Sequence, residues 1–548
     1  MPQQLSSLPL VQAFLLFIAT WLLYKLIAPL VIRSPLHNIP GPPAQSFVKG
    51  NLDKVFDRHG WAFQREISEK YGAVVRLTGL FGTPRLFVYD PTALHSVVVK
   101  EQDIYEETPM FLIGNGLVFG KGLLTTLGHQ HRKQRKLLNP IFSINHMRHM
   151  LPIFNKVAEN LKEGITIKVH SGVREQDMLE WMSRTALELI GQGGLGHSFD
   201  PLVKEVDNTY GHALKALMPA LFSLAILRRL LPYVVNIGSP AFRRRVLELI
   251  PNKRIQRVRE LVDIMDQTTR QIWENKKAAF AKGDEAVLQQ VGEGKDIVSK
   301  LLQANEDVGE EDKLPDEELL AQLATLTSAA VDTTSSALAR ILHLLAENQD
   351  VQEKLRREIV DAHKDGNELS YDELVELPYL EAVCRETLRL YSPASWVTRK
   401  TRQDTIMPLS KPLRGVDGTL IHEIPVPKGT EVVVGIRAAN RNPDLWGPDS
   451  DEWKPERWLS PLPDTVTNAH VPGVYSNLMT FLGGSRACIG FKFSQMEMKV
   501  VLVTLLQSFK FTLSDKPIVW NLSGIAYPTI GPVDPVARLP LNVEVISS

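Results

Sequence analysis

The feature that most restricts this chain lies near its C-terminal end. There FLGGSRACIGFKF, Phe481 to Phe493, sets one cysteine among three glycines and an arginine. Glycine permits tight turns and lets backbone segments approach closely. The helical-looking QMEMKVVLVTLLQSFKF follows, so Cys488 stands where a helix begins. Exposed N–H groups at a helix start favour a thiolate over a thiol, which is the chemistry of an anionic metal ligand. The other cysteine, Cys384, lies in YLEAVCRETLRLY, whose apolar period is helical, and reads as a small packed residue. Two cysteines in such different settings make no disulfide framework and suit a reducing compartment.

A chain of 548 residues that is 44% hydrophobic buries a large core, in one broad fold or in several ordinary domains. Lys plus Arg and Asp plus Glu number 62 each, which excludes a global field for gathering nucleic acid or acidic ligands. Leu10 to Ile32 is an apolar run of 23 residues with one charge, Lys25. At about 1.5 Å per residue it is long enough for a hydrocarbon core about 30 Å thick. No basic side chain precedes it and no small-residue cleavage site follows, so a retained anchor is expected over a cleaved signal peptide. Lys25 and Arg33 place the rest of the chain on the cytosolic side. The expected organisation is a membrane anchor over 1–32, a proline-rich elbow over 33–50 containing IPGPP, and one catalytic domain over 51–548.

VVRL and RLFVY, separated by Gly79, Gly82 and Pro84, predict a hairpin within Ala73 to Tyr89. From about Gly128 to Lys400 the pattern is mainly helical. The charged stretch Gly292 to Asp316 reads as a mobile loop or broken helix, and Pro315 to Glu318 as the entry to a long helix. A second apolar stretch, Ala213 to Val235, is broken by Pro219, Arg228, Arg229 and Pro232. It is either a core or channel segment or one partly inserted at a membrane interface. Beyond Thr401 come extended segments, a Pro- and Trp-rich meander from Asn442 to Pro461, and the final helix. Helix and sheet mixed in one large fold follow from this order.

The Cys488 loop resembles in full the haem-binding signature of the cytochrome P450 family, and further landmarks occur in the family order over nearly the whole chain. The resemblance implies a mainly α fold with small β-sheets, preceded here by the transmembrane helix, and haem b with Cys488 as its axial thiolate. Glu386 and Arg389 of ETLR, with Arg457 of PERW, resemble the charged network that braces the haem end. His131 and Arg135 of HQHRKQRK, Arg399 after SPASWVT and Arg486 resemble the residues that hold haem, although the family commonly has tryptophan at the position of His131. AAVDTTS places Asp332 and Thr333 in the family's oxygen-activation segment, with Ala330 where glycine is frequent.

The implied reaction is hydroxylation or epoxidation of a lipophilic substrate, terpenoid or steroid-like, in fungal secondary metabolism. Apolar segments around Pro109 to Leu124, Met218 to Leu231 and Ser395 to Val397 resemble its lining. No flavin or nicotinamide fingerprint is present, so NADPH-cytochrome P450 reductase is the implied electron donor, with cytochrome b5 a further candidate. Arg132, Lys133, Lys136 and Lys492 are the basic residues for docking it. The chain is closest in style to fungal members of the membrane-bound microsomal type, which implies the endoplasmic reticulum membrane and a lipid bilayer as partner. A haem-thiolate peroxide isomerase or dehydratase, and a non-catalytic membrane haem-binding protein, stand as the alternatives.

Overall fold

The hairpin expected from VVRL and RLFVY forms as β1 (Val74–Thr78) and β2 (Pro84–Val88), antiparallel from Val74 opposite Val88 to Thr78 opposite Pro84. The computed structural model describes residues 34–546 except 205, 207, 225, 226 and 364–367, together with 12, 13, 16, 17 and 19–21. Three later segments extend the hairpin into a sheet: β3 (Tyr105–Glu107), β4 (Val397–Thr401) and β5 (Glu431–Val434), in the order β1-β2-β5-β4-β3. Only the β2–β5 pairing is parallel within this sheet. The register sets Arg399 of β4 opposite Glu107 of β3, with both side chains on one face.

Nine helices carry most of the remaining argument. They are α1 (Pro109–Phe119), α2 (Gly128–Leu138), α3 (Ile144–His170), α4 (Met178–Leu189), α5 (Thr209–Ser223), α6 (Lys253–Lys282), α7 (Asp316–Glu347), α8 (Pro378–Leu390) and α9 (Phe491–Ser508). Pro315 precedes α7, and Asp316, Glu317 and Glu318 fill its first turn, where carboxylates meet the positive end of the helix dipole. Later residues of α7 are buried on nearly every side, because α4, α6, α8 and α9 all pack against it. Phe493 of α9 meets Phe154 of α3 edge to face, with ring centroids 4.9 Å apart.

The charged network expected from ETLR and PERW is built. Arg389 grips Glu386 through two bonds of 2.8 Å, and both side chains are fully buried. Arg389 also donates to the carbonyls of Asn440, Ser450 and Glu452, while Trp458 Nε1 and the Lys454 N–H donate to Glu386. Arg457 lies 3.4 Å from Glu386 and 3.2 Å from Asp449. One helix thereby holds the meander, which has little regular structure of its own.

Other segments depart from their expectations. The stretch expected as a loop or broken helix contains a regular helix, Ile297–Asp307, capped by Asp296. Ala213 to Val235 begins in the second turn of α5, whose Ala213, Leu214, Leu217 and Leu221 are buried, while Phe222, Leu230 and Tyr233 beyond them are exposed. Ile39 of the proline-rich elbow is buried, and the Pro40 carbonyl accepts from the Arg76 N–H at 2.9 Å, so this part packs onto β1.

The expected N-terminal transmembrane helix is corrected. Among the described residues no helix is long and apolar enough to cross a membrane, a crossing that takes about 20 consecutive residues. Most of Leu10 to Ile32 lies outside the described residues. The membrane-bound microsomal type, the endoplasmic reticulum placement and the bilayer as partner rested on that helix, and none of the described residues supports them.

Candidate active site around Cys488

The turn before α9 positions Cys488. A Cβ on Gly483 would overlap the Pro472 carbonyl oxygen, and one on Gly484 the Val98 carbonyl oxygen. Gly484 also takes φ +69°, in the left-handed region that favours glycine. The Cys488 N–H donates to the Phe481 carbonyl at 2.8 Å and closes the loop. Burial pushes the thiol up, while the Gly490 N–H and the Arg135 guanidinium work in the opposite direction. Cys488 is nevertheless an exposed residue, so its thiol remains open to a ligand. Cys384 is the contrast: it is packed inside α8, and burial drives its thiol up to about 12. Both cysteines are free.

The basic residues singled out in the sequence gather around this loop. On α2 the spacing of His131 and Arg135 puts them on one face. Arg135 donates to the Ala487 carbonyl at 2.7 Å, and Arg486 donates to the carbonyls of Leu123 and Thr126 at 3.2 and 2.7 Å. His131 is 3% exposed, and burial together with Arg486, Arg135 and Arg132 lowers its imidazole to about 3, which keeps it neutral. Arg399 is buried and pairs with Glu107 at 3.0 Å. Burial pushes the Glu107 carboxyl up, against the pull of Arg399 and Arg486.

Asp332 and Thr333 lie in the middle of α7. The Thr333 hydroxyl donates to the Ala329 carbonyl one turn back, at 2.8 Å. Burial pushes the Asp332 carboxyl up to about 6, with Lys215 of α5 opposing the shift. A cavity of about 400 Å³ between α4, α5 and α7 is lined by Asp177, Glu180, Arg184, Lys215 and Val331, so charged side chains reach the immediate neighbour of Asp332. An open depression of about 480 Å³, lined by His131, Arg132, Arg135, Lys136, Asn139 and Ser485, lies beside the Cys488 loop.

Sequence reasoning missed Glu107, Lys215 and Glu497. Lys215 had a signal, as the one charge in an otherwise apolar helix. Glu107 had none, because its partner Arg399 is brought opposite only by the sheet register. Glu497 sits wholly buried on α9 beside Thr334, with neither carboxyl oxygen in a well-formed hydrogen bond.

The model of one family, cytochrome P450, matches residues 40–529 of this chain. The chain belongs to the cytochrome P450 family. A cytochrome P450 monooxygenase of Postia placenta is 60% identical over 93% of this chain and 94% of its own length. A ganoderic acid synthetase of Ganoderma lucidum is 47% identical over 91% and 92%, and a cytochrome P450 monooxygenase of Hericium erinaceus is 38% identical over 94% of each. The protein is a haem-thiolate P450 monooxygenase of fungal secondary metabolism, which removes the isomerase and non-catalytic alternatives. The site residues fit haem. An exposed thiol lies near a guanidinium and a peptide N–H, and among the described residues the neutral imidazole of His131 has no hydrogen-bond partner.

Proposed function

We propose that Cys488 is the axial thiolate, that His131, Arg135, Arg399 and Arg486 hold the propionate end of the haem, and that Asp332 and Thr333 deliver protons to oxygen. One observation carries the reading: of the two cysteines, Cys488 alone is exposed, with Arg135 and the Gly490 N–H favouring its anion. When bound, haem supplies the oxygen binding and the redox chemistry. The residues of this chain do the rest. Arg135 and the helix start stabilise negative charge on the Cys488 sulfur. Asp332, with a carboxyl near 6, releases and regains a proton close to neutral pH. Thr333 passes it on once its hydroxyl leaves the Ala329 carbonyl, and the cavity lined by Lys215 and Val331 lies next to Asp332 on the solvent side of this route.

In the overall balance one oxygen atom enters a C–H bond or bridges a C=C bond. The other leaves as water, with two protons by this route and two electrons from an NADPH-dependent reductase. That flavoprotein docks at the basic depression beside the Cys488 loop, where cytochrome b5 is a second candidate donor. The apolar composition of α1 and α5 favours a lipophilic substrate, and the relative named for ganoderic acid supports a terpenoid or steroid-like one.

Cys488→Ser tests the reading. Serine keeps the size but supplies a neutral oxygen in place of a thiolate. The reduced, carbon monoxide-treated variant is expected to lose the long-wavelength absorption of thiolate-ligated haem and its NADPH-dependent product, while Cys384→Ser keeps both. Persistence of the thiolate spectrum in Cys488→Ser overturns the assignment.

A further inference from the structure

The chain after α5 folds back over α1. A short 3-10 turn, Leu227–Leu230, and the helical turn Leu231–Val234 both pack on α1. The guanidinium of Arg228 lies against Gly114, near enough that a side chain there would meet Nη2 at 2.8 Å. Gly114 is buried on α1, and α1 leads straight into the segment that touches α7. Gly120 and Gly122 lie against Ala321 and Thr325, and the Leu123 N–H donates to Gln322 at 3.0 Å. The end of α5 meets the far wall, with Phe222 close to Gly524. The turn at Gly524 is in turn tied to α7 by the bond from Ser336 to the Ala526 carbonyl. Arg228 is therefore built into the rim around the exposed face of α7 that carries Thr333.

That rim has no negative charge of its own. Residues 208–247 contain six lysines and arginines and no aspartate or glutamate, and residues 108–127 contain one lysine and no acid. Among the described residues the Arg228 side chain has no ion pair and no hydrogen bond, although it is half-buried. Burial alone lowers it from its ordinary value, with no carboxylate nearby to offset the effect. The outer arginines differ: Arg244 pairs with Glu248 and Asp263, and Arg243 donates to the Gly238 carbonyl. A guanidinium withdrawn from water without a partner is costly, and a planar fork of donors is suited to a carboxylate.

We infer that Arg228 is a specificity residue that anchors the carboxylate of an otherwise apolar substrate at the rim of the active site. The inference rests on the monooxygenase site proposed above and narrows its substrates to acids, held by the carboxylate at one end while the hydrocarbon body reaches toward Thr333.

The test uses full-length haem-loaded protein and the absorption change on substrate binding. The probes are an 18-carbon fatty acid and a tetracyclic triterpenoid acid, each paired with its methyl ester. The unchanged protein is expected to bind at least one acid more tightly than its ester. Arg228→Gln is expected to weaken that acid about tenfold or more and leave the ester within about twofold, with Arg228→Lys intermediate. An absence of any preference for acid over ester in the unchanged protein overturns the inference, as does a parallel loss for acid and ester in Arg228→Gln. The carbon monoxide spectrum separates the two readings. If the unchanged protein lacks the thiolate band, the Cys488 site fails; an intact band without discrimination sinks the role of Arg228 alone.

Discussion

Glu497 and Asp332 are two carboxyls raised by burial, with different consequences. Glu497 is fully buried, and burial pushes its carboxyl well above its ordinary value near 4.5, which favours the protonated form in the folded protein. The folded state then binds a proton that the unfolded chain releases above about 4.5. This contribution to stability is fully present below that pH and is lost as pH rises toward the folded value, by about 1.4 kcal/mol per pH unit. Glu497→Gln keeps the shape and cannot ionise. Urea midpoints between pH 5 and 8 are expected to fall for the native protein and to fall less for the variant; equal slopes would show that Glu497 is charged. For Asp332 the opposing cation is the lever. Removing it with Lys215→Met is expected to raise the carboxyl above about 6, because Lys215 holds it down. The pH at which product per NADPH is half-maximal should then move upward, and an unmoved profile argues against a proton route through Asp332.

At the scale of elements, the brace between α8 and the meander shows what the sequence makes legible. Glu386 and Arg389 are three apart on a periodic segment, so their shared helix face follows from the spacing alone. The Cys488 turn, the β1–β2 hairpin and the entry to α7 were legible for the same reason: each is set by residues close in sequence. The Arg399–Glu107 pair was not, because a register between strands nearly 300 residues apart decides it. Nor was the helix Ile297–Asp307, since charge density was read as loop while its apolar face packs inward. The apolar run Leu10 to Ile32 was read as a transmembrane helix from hydropathy and length alone, and most of it lies outside the described residues. The brace also carries a prediction. Breaking a buried pair by removing one partner costs about 3–5 kcal/mol. Arg389→Met is therefore expected to lower the unfolding midpoint sharply and to lose haem with it. Trp458→Phe removes a single bond to Glu386 and is expected to cost about 1.5–3 kcal/mol, read by the same denaturation curves.

The whole molecule carries equal numbers of positive and negative side chains, so no long-range field draws in an electron donor. Attraction has to be local. The depression beside the Cys488 loop supplies it, because the side chains of Arg132 and Lys136 are 62% and 77% exposed, and their ion pairs with Asp103 and Asp312, at 3.8 and 3.2 Å, are surface pairs of little strength. Both cations thus remain available to an acidic partner surface, and neither touches Cys488. Arg132→Glu combined with Lys136→Glu is expected to leave the carbon monoxide spectrum intact. It should slow the first reduction by NADPH-dependent reductase about tenfold at low ionic strength, since like charges then face each other across the interface. Added salt is expected to shrink the difference as the Debye length falls from about 10 Å at 0.1 M toward about 3 Å at 1 M. Stopped-flow reduction across that range decides the matter: native and variant rates that coincide at every salt concentration would place electron entry elsewhere on the surface.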